Sequence, residues 1–277
     1  YALCGTEVGS PLGLPGKVLP YLGAVVAVLR QVVLVPLGGI QDRSGDHGAG
    51  GARRRDRPDV PGPPGAEDPA LHPVRVVDCT GKATISGVVS AVDWITAQYK
   101  RTAASPATRR PAVANISLIT PGSLAIDAAV KNSITAGIAY VVAAGNSAKD
   151  SCYYSPARVP GALTVGAAND ADNVWISSNG GSCVDLFAPG VQVNTLLSRT
   201  DNDTTATTGT SASAPHVAGA AALYLATAPQ ATPAAVGDAI LAMATPDALA
   251  AMPAGSPNRH LYSASIGANK PPVARFT

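Results

Sequence analysis

The chain has 277 residues, a net charge of +2, 46% hydrophobic and 14% charged residues, with 28 glycines and 24 prolines. That is enough apolar material for a sizeable core with many turns between elements. So small a net charge gives no electrostatic case for nucleic acid or an acidic membrane as a partner.

From the start of the chain, Val18–Leu29 is apolar but interrupted by Pro20 and ended by Arg30. It is too short to cross a bilayer, and it lacks the basic start and small-residue cleavage pattern of a signal peptide. Residues 1–40 have no clear period. Residues 41–70, "QDRSGDHGAGGARRRDRPDVPGPPGAEDPA", hold almost nothing large and apolar, so loop or disorder is the expectation. Residues 1–70 therefore read as an irregular N-terminal segment.

From Leu71 the pattern becomes regular. "LHPVRVVD" reads as a buried strand. "SGVVSAVDWITAQYK" places Val88, Val89, Val92, Ile95 and Ala97 on one helical face, with Ser86 as its cap. "AVANISL" reads as a strand, "SLAIDAAVKNSITAG" as a helix closed by Gly137, and "IAYVVAAG" and "ALTVGAA" as further buried strands. "SAPHVAGAAALYLAT" is a helix with almost no polar face, which belongs in a core. "TPAAVGDAILAMA" starts with Thr232 as N-cap and Pro233 in the first turn. Alternating helices and continuously apolar strands predict an α/β fold in three layers, a parallel sheet with helices on both faces. The tail "ANKPPVARFT", residues 268–277, changes character at Pro271–Pro272, and residues 266–277 read as a linker. None of Cys4, Cys79, Cys152 and Cys183 forms a C-x-x-C pair, which argues against zinc. Disulfides and buried free thiols both stay open.

The chemistry concentrates in "GTSASAPHVAG", residues 209–219. Ser211 sits where the buried helix should start, with unpaired N–H groups and the positive end of the dipole facing outward. An oxyanion developing there is stabilised, and the small Ala212, Ser213 and Ala214 let a substrate backbone approach. A serine in this place can also serve only as a cap. The pattern is not the G-x-S-x-G elbow, because position 213 is Ser. His216 is a poor base for Ser211. Five helical positions put it about 140° around the helix, out of hydrogen-bond reach.

This segment resembles the serine box of the subtilisin-like proteases, with Ser211 in the nucleophile's place. "VVAAGNSAKDSCYYSPA" is similar to the segment that supplies the oxyanion-hole asparagine, here Asn146. "LHPVRVVDCTGKATISGVVSAVDWI" resembles the strand and helix after the histidine box in the proteinase K and aqualysin-like branch, and "ANISL" the strand that pairs with substrate. The resemblance spans residues 71–265 and implies a peptidase domain there, secreted and monomeric, acting on polypeptide. It implies substrate contacts at Ser117, Leu118 and Gly145, with Ile119 and Thr120 standing where glycines are usual. It further implies a Cys152–Cys183 disulfide and a calcium site from the carbonyls of Pro160 and Ala162 and the carboxylate of Asp185. "PPVARFT" resembles the start of a polycystic-kidney-disease-type β-sandwich repeat.

The first part of the chain departs from the pattern. The family needs an aspartate at the end of an early strand and a histidine in a G-H-G-T-H-V-A-G box. "IQDRSG" around Asp42 and "GDHGAG" around His47 are poor echoes of the two, and they lie too close together for both to hold. Ala52–Arg55 can be encoded by codons whose next frame reads His-Val-Ala-Gly, so the first 65 or so residues read as a degenerate or out-of-frame version of that part. The expectation is a serine endopeptidase by ancestry, inactive as written for want of a base. The alternative is a non-catalytic, peptide-binding relative or a truncated product with an incomplete sheet and an exposed edge.

Overall fold

A computed structural model describes residues 31–36, 72–78, 81–102, 111–196 and 204–263. Asp42, His47, Ala52–Arg55, Cys4, Cys79 and the linker at residues 266–277 lie outside the described residues. The strands are β1 (Gln31–Pro36), β2 (His72–Arg75), β3 (Ala112–Ile116), β4 (Thr120–Pro121), β5 (Ala139–Ala143), β6 (Tyr154–Ser155), β7 (Ala162–Ala168), β8 (Leu186–Pro189), β9 (Val193–Leu196), β10 (Thr204–Thr207), β11 (Thr245–Pro246) and β12 (Arg259–His260). The helices are α1 (Ile85–Thr102), α2 (Leu124–Thr135), α3 (Thr210–Thr227) and α4 (Pro233–Met243).

Among the described residues, one eight-stranded sheet runs in the order β11-β12-β8-β7-β5-β3-β1-β2. Its centre, from β3 through β5 and β7 to β8, is parallel. The continuous apolar runs are explained by burial on both faces. Ala112, Ala114 and Ile116 of β3 and Tyr140 and Val142 of β5 pack with Val88, Val92 and Ile95 of α1 and Ile126 and Val130 of α2. The alternate residues Val113, Val141 and Ala143 pack with Ala214, Val217 and Ala221 of α3 and Val236 and Ile240 of α4. One strand thus feeds two cores, so a period of two cannot show in its hydropathy.

Four expectations are corrected. First, β2 is an outer edge rather than a buried strand; His72 and Val74 are half-buried while Pro73 and Arg75 are exposed. Second, the cap of α1 is Thr84, whose Oγ1 accepts from Gly87 N at 3.0 Å, and Ser86 lies inside the helix. Third, Ala97 is exposed and Tyr99 takes the buried position four residues after Ile95. Fourth, the sheet is not left open beside β3. β1 fills that place, antiparallel to both β3 and β2, within a stretch that has no readable period in the sequence.

Two helix ends behave as their sequences demand. Thr232 Oγ1 accepts from Ala235 N at 3.2 Å, and Gly137 takes φ +112° just after α2. The Cys152–Cys183 disulfide is present, with 31 residues between its ends in sequence. A Cys152→Ser, Cys183→Ser double variant is expected to lose about 3–4 kcal/mol in urea unfolding, from the entropy of a loop that size. A loss under about 1 kcal/mol would contradict that loop-entropy account.

Candidate functional site

Three chain segments meet beyond the carboxyl ends of the parallel strands, where open α/β sheets form their crevices. Ser117 leaves β3, the turn Ala144–Asn146 leaves β5, and Ser211 opens α3. Gly209 precedes that helix at φ +147°, and a Cβ there would lie 2.9 Å from Asn146 Nδ2, so only glycine lets the two segments close.

Ser211 and Ser117 clasp each other. Ser211 Oγ donates to the Ser117 carbonyl at 3.0 Å, and Ser117 Oγ donates to the Ser211 carbonyl at 2.9 Å. The second bond depends on Pro215. A helix would direct the N–H of residue 215 at the carbonyl of residue 211, and proline has none, so that carbonyl is free for Ser117. Asn115 Nδ2 supports Ser117 Oγ at 3.0 Å.

Asn146 is fixed by Thr210, which is fully buried. Its Oδ1 accepts from Thr210 N at 2.9 Å and from Thr210 Oγ1 at 2.8 Å. Two donors on one atom settle which end of the amide is oxygen. Nδ2 is thereby left with no acceptor among the described residues, on an exposed side chain next to the start of α3. Thr210 Oγ1 also accepts from Gly145 N at 3.0 Å, tying the turn to the helix. Beneath the turn lies Asn179, whose Oδ1 accepts from Ser147 N and Lys149 N while its Nδ2 donates to the Ala144 carbonyl.

The structure brings Ser211, Asn146, Ser117 and Gly145 together, and Leu118 follows Ser117 in the same segment, half-buried. Sequence reasoning misses Thr210, Asn179 and Pro215. Thr210 and Pro215 are in the quoted stretch, and a hydroxyl beside the helix start and a proline within its first turns are the signals. Asn179 is distant in sequence and carries none.

Of the described histidines, none bonds to Ser211. His216 Nδ1 donates to the Ala212 carbonyl at 2.8 Å, as expected of a packed helix residue. His72 lies at the far end of β2, since β2 pairs Arg75, not His72, with the Gln31 end of β1. His260 is on β12, 3.5 Å from Asp172. No carboxylate comes from the strand beside β3 either, because β1 reads QVVLVP.

Burial lowers the pKa of His72, His216 and His260, opposed at His216 by the Ala212 bond and at His260 by Asp172. A folded-state value below the ordinary 6.5 or so means the neutral ring is favoured in the fold. That stability is complete above pH 6.5 or so and is lost as pH falls through the lowered values. The thermal midpoint should hold level above that pH and decline towards pH 5; a level midpoint across the whole range would refute it. Asp185 works in the opposite sense. Burial raises its pKa first, against the bond from Thr164 N at 2.7 Å and the charge of Arg259, and its effect starts from the ordinary carboxylate value near 4.

Residues 45–263 match the Subtilase family, peptidase S8. The chain belongs to the subtilase family. It is 45% identical over 198 residues to the "Extracellular serine proteinase" of Thermus sp. (strain Rt41A), covering 72% of this chain and 46% of the relative. It is 40% identical over 198 residues to "Alkaline serine exoprotease A" of Vibrio alginolyticus, covering 72% and 35%. The chain therefore spans half or less of the length of these relatives. The crystal structure of a cold-adapted subtilisin-like serine proteinase superposes with a TM-score of 0.63 at 41% identity, covering 68% of this chain and 65% of that one. The mostly parallel, helix-covered sheet of this subtilase is thus the fold of its family.

Proposed function

We propose that this subtilase carries the nucleophile and oxyanion half of a serine endopeptidase, with Ser211 as nucleophile and the Asn146 amide and Ser211 N–H as oxyanion donors. The observation that carries this reading is the tethering of Asn146 Oδ1 by Thr210, which turns the Nδ2 donor outward beside Ser211. An extended polypeptide is the partner, adding a strand along Ser117–Leu118. The word "extracellular" in the name of the Thermus relative supports secretion. The test replaces residues 1–71 with the corresponding segment of that relative. The chimera should hydrolyse casein and lose activity with Ser211→Ala; a folded, inactive chimera would sink the assignment.

A second reading, peptide binding without hydrolysis, is favoured by one contact. Ser211 Oγ spends its proton on the Ser117 carbonyl rather than on a base.

Calcium is the cation proposed for Pro160, Ala162 and Asp185. Asp185 Oδ2 accepts from Thr164 N and Asp185 N donates to the Thr164 carbonyl, which holds the carboxylate against β7, the strand that Ala162 opens. All three donors are hard oxygens, which suit calcium, although Arg259 already supplies some positive charge. Calcium should stabilise the protein against heat by about 2–3 kcal/mol at a hundredfold excess over Kd. Asp185→Asn should abolish that increment; an unchanged response to chelator would refute the site.

A further inference from the structure

We infer that Ile119 plugs the crevice beside Ser211 and restricts the residue on the acyl side of the peptide to glycine or alanine. The inference rests on the docking proposed along Ser117–Leu118 and names the substrate class that docking admits. β3 and β5 pair up to Ile116 and Val142, and beyond that point the two chains part. Beyond the pairing, Ile119 of one chain segment faces Gly145 of the other. In this docking a peptide carbonyl is taken to lie at Ser211 Oγ, with its oxygen towards Asn146 Nδ2, and the side chain of that residue is assigned to the space over Gly145.

That space is taken. Gly145 has φ +111°, and a Cβ built there would lie 2.6 Å from Ile119 Cδ1 and 2.3 Å from Asn179 Nδ2. Ile119 therefore lies directly over the glycine, half-buried, as one surface of the gap. It has little freedom to swing away. Ser117 is clasped by Ser211 on one side, and on the other Thr120 and Pro121 pair with Ser155 and Tyr154. A β-branched side chain held between two anchored residues keeps its direction. The far wall is equally fixed, because Asn179 and Thr210 both hold the Gly145 turn. Extra carbons beyond a methyl would have to displace Ile119 or distort one of these anchors.

The test is equilibrium binding, so it does not depend on turnover. Two dye-labelled tetrapeptides, Gly-Ala-Ala-Ala and Gly-Ala-Ala-Phe with free carboxylates, are titrated against the full chain and read by fluorescence anisotropy. The natural chain should prefer the alanine peptide by about tenfold or more, the range of a steric filter in an apolar pocket. Ile119→Gly should bring the phenylalanine peptide to equal or tighter binding, and Ile119→Ala should fall between, each with a native circular dichroism spectrum. Equal binding of both peptides by the natural chain, or a preference unmoved by Ile119→Gly, would overturn the role of Ile119 while leaving the docking intact. No binding of either peptide by any of the three proteins would overturn the docking itself, and the inference with it.

Discussion

Exposed to a fluorophosphonate, the folded chain should stay unlabelled at Ser211, and its peptide hydrolysis should be undetectable beside that of its relatives. The reason is where the hydroxyl proton goes. Ser211 Oγ donates to a backbone carbonyl, which cannot carry the proton away. The imidazoles of His72, His216 and His260 are committed or distant, and the QVVLVP strand beside β3 carries no aspartate. Removing the histidine of subtilisin costs about 2 × 10⁶ in kcat, which sets the scale for a chain with nucleophile and oxyanion donors alone. Mass spectrometry of the Ser211 peptide after labelling decides the matter. Stoichiometric labelling would mean that a base reaches Ser211 from outside the described residues, and the expected inactivity would be wrong.

The two halves of the chain differ in how far their sequence could be read. Within 111–196 and 204–263, the strands β3, β5 and β7 and the helices α2, α3 and α4 follow their hydropathy because each strand is apolar on both faces, and Ser123 and Gly137 mark the ends of α2 and Thr232 the start of α4. The exceptions lie at the margin of the sheet. An edge strand such as β2 shares its apolar residues with one helix layer only, and "HPVR" is too short for alternation to be told from continuity. β1 owes its place to its neighbours rather than to a period of its own, so direction and pairing were not readable from "QVVLVP".

The site divides along the same line. Ser211 and Asn146 can be found because "GTSASAPHVAG" and "VVAAGNSAKDSCYYSPA" resemble subtilase segments, whereas local features alone leave a helix cap and a turn residue. Their mutual orientation is not local. Thr210 speaks to Gly145 and Asn146 across a gap of 64 or 65 residues, and Asn115, Ser117 and Ser211 form a relay between β3 and α3. Such bonds follow from the strand order β7-β5-β3, which places the ends of β3 and β5 side by side under the same helix. The position of Asn146 is thus held by residues remote in sequence, Thr210 and Asn179.

Asn179→Ala should destabilise the fold by about 3 kcal/mol, more than truncation of an exposed residue in the same loop. Asn179 is fully buried, and its side chain bonds three backbone groups of the turn that holds Asn146. The Ala144 carbonyl, on a fully buried residue, would lose its shorter bond and keep only the one from Ser151 Oγ at 3.3 Å. Ser147 and Lys149 are exposed, so their N–H groups can turn to solvent, which keeps the total below the sum of three lost bonds. Lys149→Ala serves as the control and should stay within about 0.5 kcal/mol, because only its backbone takes part. Gly145→Ala should be costly for three reasons, its φ of +111°, a Cβ pressed on Asn179 Nδ2, and the same Cβ pressed on Ile119 Cδ1. Only the clash with Asn179 disappears when Asn179 is truncated, while φ and Ile119 remain. The double variant should therefore be more stable than the two single losses predict when added, with a coupling of about 0.5–3 kcal/mol. Urea unfolding of the four proteins measures it. Strict additivity would mean that Asn179 does not press on a side chain at position 145.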